Sequence, residues 1–310
     1  MSSVIVTGYT GFVGKNLVPY LKQEGFNVMG VGRELQSGLA ITQYTYEQLP
    51  QVKNYNALIH LAGKAHDLKQ TVDPNAYFEI NTQLTINVFK YFLKSNATDF
   101  IYLSSVKAVA DSVAGVLYEN ATPAPATAYG QSKLLAEEYL MNQQLPAEKR
   151  VFILRPCMIH GPGNKGNLNR LYSIVKKRMP YPLTAFDNKR SLLSVSNLLF
   201  AIKTLLITTN IPGGVYNIAD DEPLSTNDII DILGKASHIN PVKWNLPKSF
   251  IKTLAKAGDK LRLPFNTENL QKLTGSYVVS NHKFKQAAGI HNMPVNAREG
   301  IYYTAQNLHK

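Results

Sequence analysis

A chain of 310 residues, 45% hydrophobic and 17% charged, can bury a large core and suits one large domain or two joined ones. The excess of Lys and Arg over Asp and Glu gives a net charge of +12, which favours anionic ligands such as phosphates. The basic residues are dispersed and show no zinc-finger or RNA-recognition pattern, so we expect no nucleic-acid partner.

The single cysteine, Cys157, excludes an internal disulfide and favours a reducing compartment. No signal-peptide pattern precedes the first apolar segment, and no apolar run reaches the length that spans a bilayer. We therefore expect a cytoplasmic protein without stable membrane insertion. We also expect no metal site.

The first predicted strand, residues 4–6, runs into a glycine-rich turn and then a helix that continues through Leu21. The first glycine of the turn permits a tight bend, the second lets the backbone approach a pyrophosphate, and the third lets the helix pack on the strand. This GxxGxxG spacing differs from the commoner GxGxxG, and its place between strand and helix indicates a dinucleotide cradle. The cofactor-binding candidates here are Gly8, Thr10, Gly11, Phe12, Val13 and Gly14.

The second predicted strand, residues 26–31, is followed by Gly32 and Arg33. A site for NAD usually has an acid at the end of this strand, where it holds the ribose hydroxyls. A small residue followed by arginine suits the 2′-phosphate of NADP, so we favour NADP(H). The alternative is NAD(H), with Arg33 solvated and Glu34 on the ribose.

The third clear strand, residues 57–63, ends in small residues where a cofactor would pass. Its last residues, Leu61, Ala62 and Gly63, are further cofactor-binding candidates, whereas we interpret His60 as structural. A helix is predicted over residues 75–95. The next strand, residues 99–105, ends in two serines at the edge where open α/β sheets bind ligands.

Tyr129 and Lys133 are spaced to lie on one face of a helix predicted over residues 128–140, about one turn apart. An ammonium beside a phenol favours the phenolate and lowers the pKa of the tyrosine towards working pH. The pair would then transfer a proton to or from an alcohol or carbonyl oxygen. A further strand follows at 150–154, and the alternation of strands and helices predicts a parallel, doubly wound α/β sheet.

The chain resembles the extended short-chain dehydrogenases/reductases, and within them the NAD-dependent epimerase/dehydratase family that acts on nucleotide sugars. The motifs occur in the family's order: the three-glycine turn, the HLAG segment, Asn81, Ser105, Tyr129-x-x-x-Lys133 and Arg155-Pro156. The resemblance implies a Rossmann sheet with a smaller α/β substrate-binding lobe. It also implies Ser105, Tyr129 and Lys133 as catalytic residues, the last two also touching the cofactor.

The expected Rossmann domain comprises residues 1–156 with about 191–213, and the expected substrate lobe comprises about 157–190 and 214–310. The resemblance assigns the substrate to Ser105, Lys107, Asn167 and Arg190, of which Arg190 would bind the pyrophosphate. A helix cap is the alternative role for Asn167. The family often forms homodimers, and no residue here decides this for the chain. Residues 240–265 are basic and amphipathic, a pattern typical of a membrane-surface helix or of a solvated face of the lobe.

Departures from the family's sequence patterns reduce the number of reactions that the chain is expected to catalyse. Val106 and Lys107 follow Ser105 where 4,6-dehydratases carry an Asp-Glu pair, which argues against water elimination. Lys107 and Gly163 stand where reductases that also epimerise carbons 3 and 5 have cysteine and histidine. An asparagine that 4-epimerases often carry near Met158 is missing.

The chain therefore looks most like reductases that act on UDP-linked 4-keto-6-deoxy-N-acetylhexosamines in bacterial surface-polysaccharide synthesis. The alternative is a UDP-hexose or UDP-N-acetylhexosamine 4-epimerase with tightly bound NAD. A third hypothesis, from another class, is a non-catalytic cofactor-sensing or nucleic-acid-binding protein.

Overall fold

The computed structural model of the protein describes residues 2–64, 73–164, 166–261, 263 and 265–308. Their strands, in chain order, are β1 Ser3–Thr7, β2 Asn27–Gly32, β3 Thr42–Thr45, β4 Ala57–His60, β5 Asp99–Leu103, β6 Val116–Leu117, β7 Arg150–Pro156, β8 Met158–His160, β9 Leu192–Ser194, β10 Gly214–Ile218 and β11 Val278–Val279. Their α-helices are α1 Phe12–Gln23, α2 Asn75–Tyr77, α3 Leu84–Leu93, α4 Ala128–Met141, α5 Asn167–Lys176, α6 Val195–Ile207, α7 Thr226–Ser237, α8 Lys248–Leu261, α9 Thr267–Thr274, α10 His282–Ala288 and α11 Ala297–Gln306.

A central sheet of seven described strands has the order β10-β7-β5-β4-β1-β2-β3, and all its pairings are parallel. From β1 the chain moves outward to β2 and β3, and it then returns to the other side of β1 through β4. The strand order reverses between β1 and β4, which is where open α/β sheets leave a crevice for ligands. The predicted doubly wound parallel fold is confirmed.

Alternate residues of each strand face opposite sides of the sheet. Val4 and Val6 belong to a core that includes residues of α1, α6 and α10, whereas Ile5 belongs to a second core with residues of α3 and α4. Because both faces are covered, the central strands are apolar throughout, as parallel strands usually are. Cys157 is buried in the first core as a small apolar residue.

A third core belongs to the smaller lobe and is built from α5, α7, α8, α9 and α11. Two small parallel sheets, β6 with β11 and β8 with β9, pair segments that are far apart in sequence. No helix among the described residues combines the length and the apolar composition needed to cross a bilayer.

Three element predictions need correction. The predicted substrate lobe includes β10. The strand instead pairs with β7 and forms one edge of the central sheet, where Val215 to Ile218 are all buried. The helix predicted over 75–95 is interrupted by a π-helical segment, Phe78–Gln83. The strand predicted over 99–105 ends at Leu103, and Ser105 instead caps a short 3₁₀ turn.

Candidate active site

Ser105, Tyr129 and Lys133 meet at the carboxyl edge of the sheet. Ser105 follows β5, and its hydroxyl oxygen accepts the Lys107 N–H at 3.1 Å. Tyr129 lies in the first turn of α4 and hydrogen-bonds the Ser105 side chain. Lys133 follows one turn later and is buried. The structure therefore brings Ser105 and Tyr129 together and places Lys133 one turn further along α4, against the end of β5.

Gly130 explains how α4 comes so close to Ser105. A Cβ atom at this position would lie 2.4 Å from the Lys107 carbonyl oxygen, a distance that no side chain tolerates. The Thr127 hydroxyl caps the same turn by accepting the Gly130 N–H at 3.2 Å. The glycine and the cap together fix the first turn of α4 against the segment that follows β5.

The sequence predicts that Lys133 lowers the pKa of Tyr129, whereas in the structure this pKa is raised. Burial raises the pKa of Tyr129, the hydrogen bond from Ser105 opposes this, and Tyr77 adds to it. The Lys133 ammonium donates to the Leu103 carbonyl oxygen at 2.8 Å, so its charge is committed to the strand end. The prediction of a lowered pKa was wrong because the spacing of the two residues says nothing about the burial of the phenol. The protonated phenol is therefore a proton donor at neutral pH.

Glu137, which the sequence reading did not select, supports Lys133 from one turn further along α4. Burial lowers the pKa of Lys133 to about 8, and the charge of Glu137 opposes that shift. The Glu137 carboxylate accepts a hydrogen bond from Ser104 and a fork from Arg155, at 3.0 Å from Nε and 2.5 Å from Nη2. An acid four residues after a lysine on a predicted helix was the available signal.

The glycine turn fits a dinucleotide. Gly8 adopts a φ of +66°, and a Cβ there would lie 2.6 Å from the Ala62 amide nitrogen. A Cβ at Gly14 would lie 2.5 Å from the Gly8 carbonyl oxygen. Gly11 precedes α1 without a side-chain cap, which leaves the first N–H groups of α1 available to an anion. The other candidates of this turn lie beside it, with Thr10 exposed, Phe12 partly buried and Val13 buried.

The end of β4 connects the glycine turn to Lys133. Leu61 and Ala62 lie against Gly8, as the hypothetical Cβ contacts of that glycine show. A Cβ at Gly63 would lie 3.0 Å from Asn81 Oδ1 and 3.2 Å from Lys133 Nζ. A cofactor that leaves the glycine turn along these small residues would therefore reach Lys133.

Asn81 holds this passage in place from the π-helical segment. It is fully buried, accepts the Lys64 N–H at 2.8 Å and donates to Ser132 Oγ at 3.0 Å and to the Lys64 carbonyl. Ser132 lies between Tyr129 and Lys133 on α4, so Asn81 links the loop after β4 to α4.

His60 is structural, as the sequence analysis suggested. Burial lowers its pKa to about 3, and the charge of Lys133 lowers it further, so the ring is neutral at working pH. Its Nδ1 lies 2.7 Å from Thr7 Oγ1 and its Nε2 lies 3.0 Å from Thr85 Oγ1. Since Thr85 donates its own proton to the Asn81 carbonyl, the ring must donate from Nε2 and accept at Nδ1.

Arg33 is exposed at the end of β2. Burial raises the pKa of Tyr46 to about 12, whereas the hydrogen bond of Tyr46 to Thr7 and the charge of Arg33 lower it, which places Arg33 near the end of β1. A Cβ at Gly32 would lie 3.1 Å from the ring of Tyr9. A side chain at this position would therefore be in tight contact with the Tyr9 ring.

Two further cations, Arg190 and Lys272, act electrostatically on Lys107, one of the predicted substrate-binding residues. The Lys107 ammonium donates to the Asp111 carbonyl at 2.8 Å and lies 4.7 Å from the centre of the Tyr277 ring. Burial lowers its pKa, Asp111 opposes this, and the charges of Arg190 and Lys272 lower the pKa further. Lys272, from α9, is therefore a member of this cation cluster that the sequence reading missed.

Arg190 is held by the backbone. Its guanidinium donates to the Gly275 carbonyl at 3.1 Å and to the Lys272 carbonyl at the end of α9. Burial lowers its pKa, and Tyr181 opposes the shift. Arg190, just before β9, therefore links that segment to α9, and its positive charge also acts on Lys107. The Asn167 side chain lies outside the part of the chain that the structure describes, so its predicted role stays a prediction.

Residues 4–219 match the NAD dependent epimerase/dehydratase family. A UDP-glucose 4-epimerase of Vibrio cholerae is 31% identical over 324 residues, which cover 98% of this chain and 94% of that protein. A GDP-6-deoxy-D-mannose reductase of Pseudomonas aeruginosa is 27% identical over 257 residues, which cover 76% and 80% of the two chains.

The crystal structure of a UDP-N-acetylglucosamine 4-epimerase from Bacillus cereus has the same fold. It matches with a TM-score of 0.79 at 18% identity, and 100% of each chain is covered. An epimerase and a reductase thus stand among the relatives in sequence.

Proposed function

The chain belongs to the NAD-dependent epimerase/dehydratase family of extended short-chain dehydrogenases/reductases, and we propose that it reduces the C4 ketone of a UDP-linked 4-keto-6-deoxy-N-acetylhexosamine. The observation that carries the proposal is the hydrogen-bonded Ser105–Tyr129 pair, with Lys133 one turn away at the end of the passage from the glycine turn. A carbonyl oxygen placed between the two hydroxyl groups would be oriented and protonated there.

A bound nicotinamide dinucleotide supplies the hydride that makes the ketone an alcohol. Tyr129 Oη gives its proton to the oxygen on C4 as negative charge develops there. Ser105 Oγ donates a hydrogen bond to the same oxygen and holds it in place. Lys133, fixed by the Leu103 carbonyl and supported in its charged form by Glu137, lies at the end of the passage from the glycine turn and would hold the bound cofactor there.

The substrate's diphosphate is assigned to the cations Lys107, Arg190 and Lys272. The charges of Arg190 and Lys272 both act on Lys107, while Lys272 also pairs with Glu268 and Lys107 lies 3.8 Å from Asp111. A planar guanidinium and two ammonium groups together suit the oxygens of a diphosphate. Recognition of the UDP part would thus depend on the smaller lobe, whereas the chemistry depends on the sheet.

The residues at the end of β2 favour NADP(H) as the cofactor. The exposed Arg33 can pair with a 2′-phosphate, and Gly32 stands where a site for NAD usually has a ribose-binding acid. A reductase exchanges its cofactor at each turnover, so NADP(H) suits the reaction. Surface-polysaccharide synthesis is the setting in which this sugar class would be made.

A second candidate is a UDP-hexose or UDP-N-acetylhexosamine 4-epimerase. The 31% identity to the Vibrio cholerae protein over almost the whole chain favours it, and it would use the same Ser105, Tyr129 and Lys133. An epimerase keeps NAD bound and returns the hydride to the carbon from which it came, so its net cofactor use is zero.

The test is an absorbance assay at the NADPH band with a UDP-4-keto sugar, run beside a UDP-sugar interconversion assay without added cofactor. We expect one NADPH consumed per sugar and no interconversion. Interconversion with retained NAD and no loss of NADPH would reverse this ranking. Retention on DNA that falls with salt, without quenching of NADPH fluorescence on mixing, would instead favour the non-catalytic hypothesis.

A further inference from the structure

An apolar and basic surface on the smaller lobe takes no part in the proposed reaction. It comprises α8 and the described residues of the turn that follows it, Leu263 and Phe265, and is called the α8 surface below. Its large apolar side chains are exposed to about half of their area: Phe250 by 51%, Leu254 by 47%, Leu261 by 69%, Leu263 by 49% and Phe265 by 37%. Together they form an exposed apolar patch of a kind that marks interaction sites.

The exposed apolar residues form a stripe beside the face that packs on the lobe. Ile251, Ala255 and Gly258 are buried against the lobe's core. With about 100° of rotation per residue, Phe250, Leu254 and Leu261 fall within roughly 40° of one another. The helix is therefore apolar over a wider arc than the protein itself covers.

The remaining arc of α8 is basic. Lys248, Lys252, Lys256 and Lys260 follow one another at intervals of four residues, and all are exposed. The one acid of the helix, Asp259, accepts hydrogen bonds from the Thr267 N–H at 3.0 Å and from the Thr267 hydroxyl at 2.5 Å. The charge of the α8 surface is thus strongly positive.

The turn after α8 is folded back on the helix. A Cβ at Gly258 would lie 1.8 Å from the Phe265 carbonyl oxygen, so the turn can approach only because this residue is glycine. The Leu263 N–H also donates to the Gly258 carbonyl at 2.9 Å. Leu263 and Phe265 are therefore held next to the end of the apolar stripe, and the surface exists before any partner arrives.

We propose that the α8 surface docks the protein peripherally on a bilayer that contains anionic lipid. Phe, Leu and Trp side chains enter the interface between headgroups and acyl chains, while lysines on the rest of the helix are attracted to the negative surface. The net charge of +12 adds a long-range attraction of the same sign. Such docking requires no membrane-spanning helix.

Charge selects the membrane over a second copy of the chain. A two-fold dimer that buried the apolar stripe of both copies would bring together eight lysines, four from each copy, and supply no anionic partner for them. A nucleic acid would pair with the lysines and leave the apolar stripe in water. An anionic bilayer satisfies both parts of the surface.

The test is co-sedimentation of the full chain with vesicles of phosphatidylcholine containing phosphatidylglycerol, and with vesicles of phosphatidylcholine alone. We expect binding to the anionic vesicles that weakens as salt is raised, and much less binding to the neutral ones. Lys256→Glu/Lys260→Glu should lower the partition coefficient by at least about 25-fold, since each lysine near the surface contributes roughly fivefold. Phe250→Ser/Leu254→Ser should lower it by about tenfold or more.

Matched controls change the same kinds of residue elsewhere. Lys53→Glu/Lys90→Glu removes equal charge from other exposed lysines, and Met141→Ser/Ile207→Ser removes exposed apolar side chains from α4 and α6. Both controls should reduce binding far less than the α8 variants, and all four proteins should show wild-type thermal unfolding. Equal binding by an α8 variant and its control, or no binding to anionic vesicles, would overturn the proposal. A wild-type dimer that dissociates in the variant Phe250→Ser/Leu254→Ser would also overturn the proposal, because the α8 surface would then join two copies of the chain.

Discussion

The two sides of the candidate site hold their polar groups in different ways. At the edge of the sheet, Asn81, His60 and Glu137 are buried and each is bonded to neutral or opposite partners within the chain. Where the smaller lobe meets the segment after β5, the cations Lys107 and Arg190 donate to backbone carbonyls, and the charge of Arg190 acts on Lys107. The first side is complete without a ligand, whereas the second retains positive charge for one.

This difference teaches where each function resides. Groups that are already satisfied keep fixed positions, which proton transfer needs because it depends on the distances between the reacting atoms. Cations whose pKa is lowered by burial gain stability when an anion arrives. Changes on the sheet should therefore affect turnover or folding, and changes on the lobe should affect affinity.

The largest effect should follow from Tyr129→Phe. The phenol is the proposed proton donor, and the ring can stay packed against Tyr77, whose centre lies 6.1 Å away. We expect turnover to fall by about three orders of magnitude or more, with cofactor binding nearly unchanged. Turnover is measured by NADPH oxidation and binding by fluorescence quenching.

Ser105→Ala is the comparison variant, with a smaller expected loss of rate than Tyr129→Phe. Ser105 only hydrogen-bonds the reacting oxygen, so its loss should slow the reaction roughly a hundredfold. A Tyr129→Phe enzyme that kept most of the wild-type rate would remove Tyr129 from the mechanism.

Glu137→Gln should give the largest loss of stability. The change leaves the buried Arg155 guanidinium without its charge partner, which costs about 3–5 kcal/mol in the free energy of unfolding. Urea denaturation monitored by fluorescence measures it.

Two companion variants identify the cause. Glu24→Gln breaks the surface pair with Lys203 and should cost far less stability than Glu137→Gln, because solvent screens the pair. Glu137→Met/Arg155→Met removes both charges and should recover much of the loss. If the double variant were as unstable as Glu137→Gln, the unpaired charge would not be the reason.

Arg190→Ala should weaken UDP binding by one to two orders of magnitude, with a small effect on cofactor binding. A charge-assisted hydrogen bond contributes roughly 1.5–3 kcal/mol. Calorimetric titration with UDP measures the change. Because Arg190 also bonds the end of α9, thermal unfolding must be recorded for the same protein.

Lys189→Ala removes the neighbouring exposed charge and should leave UDP affinity almost unaltered. Arg190→Lys keeps the charge but loses the fork, so it should fall between the two. Unchanged UDP affinity in Arg190→Ala would refute the assignment of the diphosphate to this cluster.

Arg33→Ala should have the smallest effect, about a tenfold rise in KM for NADPH, since the side chain is exposed and its ion pair is screened by solvent. The KM for NADH should stay almost constant. Glu34→Gln is the matched change and should leave both values alone. A rise in the KM for NADH in Glu34→Gln would instead show that Glu34 holds the ribose of NAD.

The sequence reveals the parts of the site that depend on local patterns and misses those that depend on tertiary packing. The glycine turn and the Tyr129–Lys133 spacing are local patterns, so their places in the fold follow directly from strand, turn and helix geometry. Glu137 meets Arg155 only because α4 packs on β7, and Lys272 meets Lys107 only because the lobe closes over the segment after β5. The raised pKa of Tyr129 also depends on packing, which spacing does not encode.

The most direct test of C4 reduction uses NADPH that carries deuterium at C4 of its nicotinamide ring, prepared as both stereoisomers. The enzyme is mixed with a UDP-4-keto sugar, and the product is examined by NMR and mass spectrometry. We predict one deuterium at C4 of the sugar, from one stereoisomer only, with one NADPH oxidised per product and with incorporation by Tyr129→Phe slowed about a thousandfold or more. A UDP-sugar that changes configuration at C4 without taking deuterium from added NADPH would contradict the account and identify an epimerase.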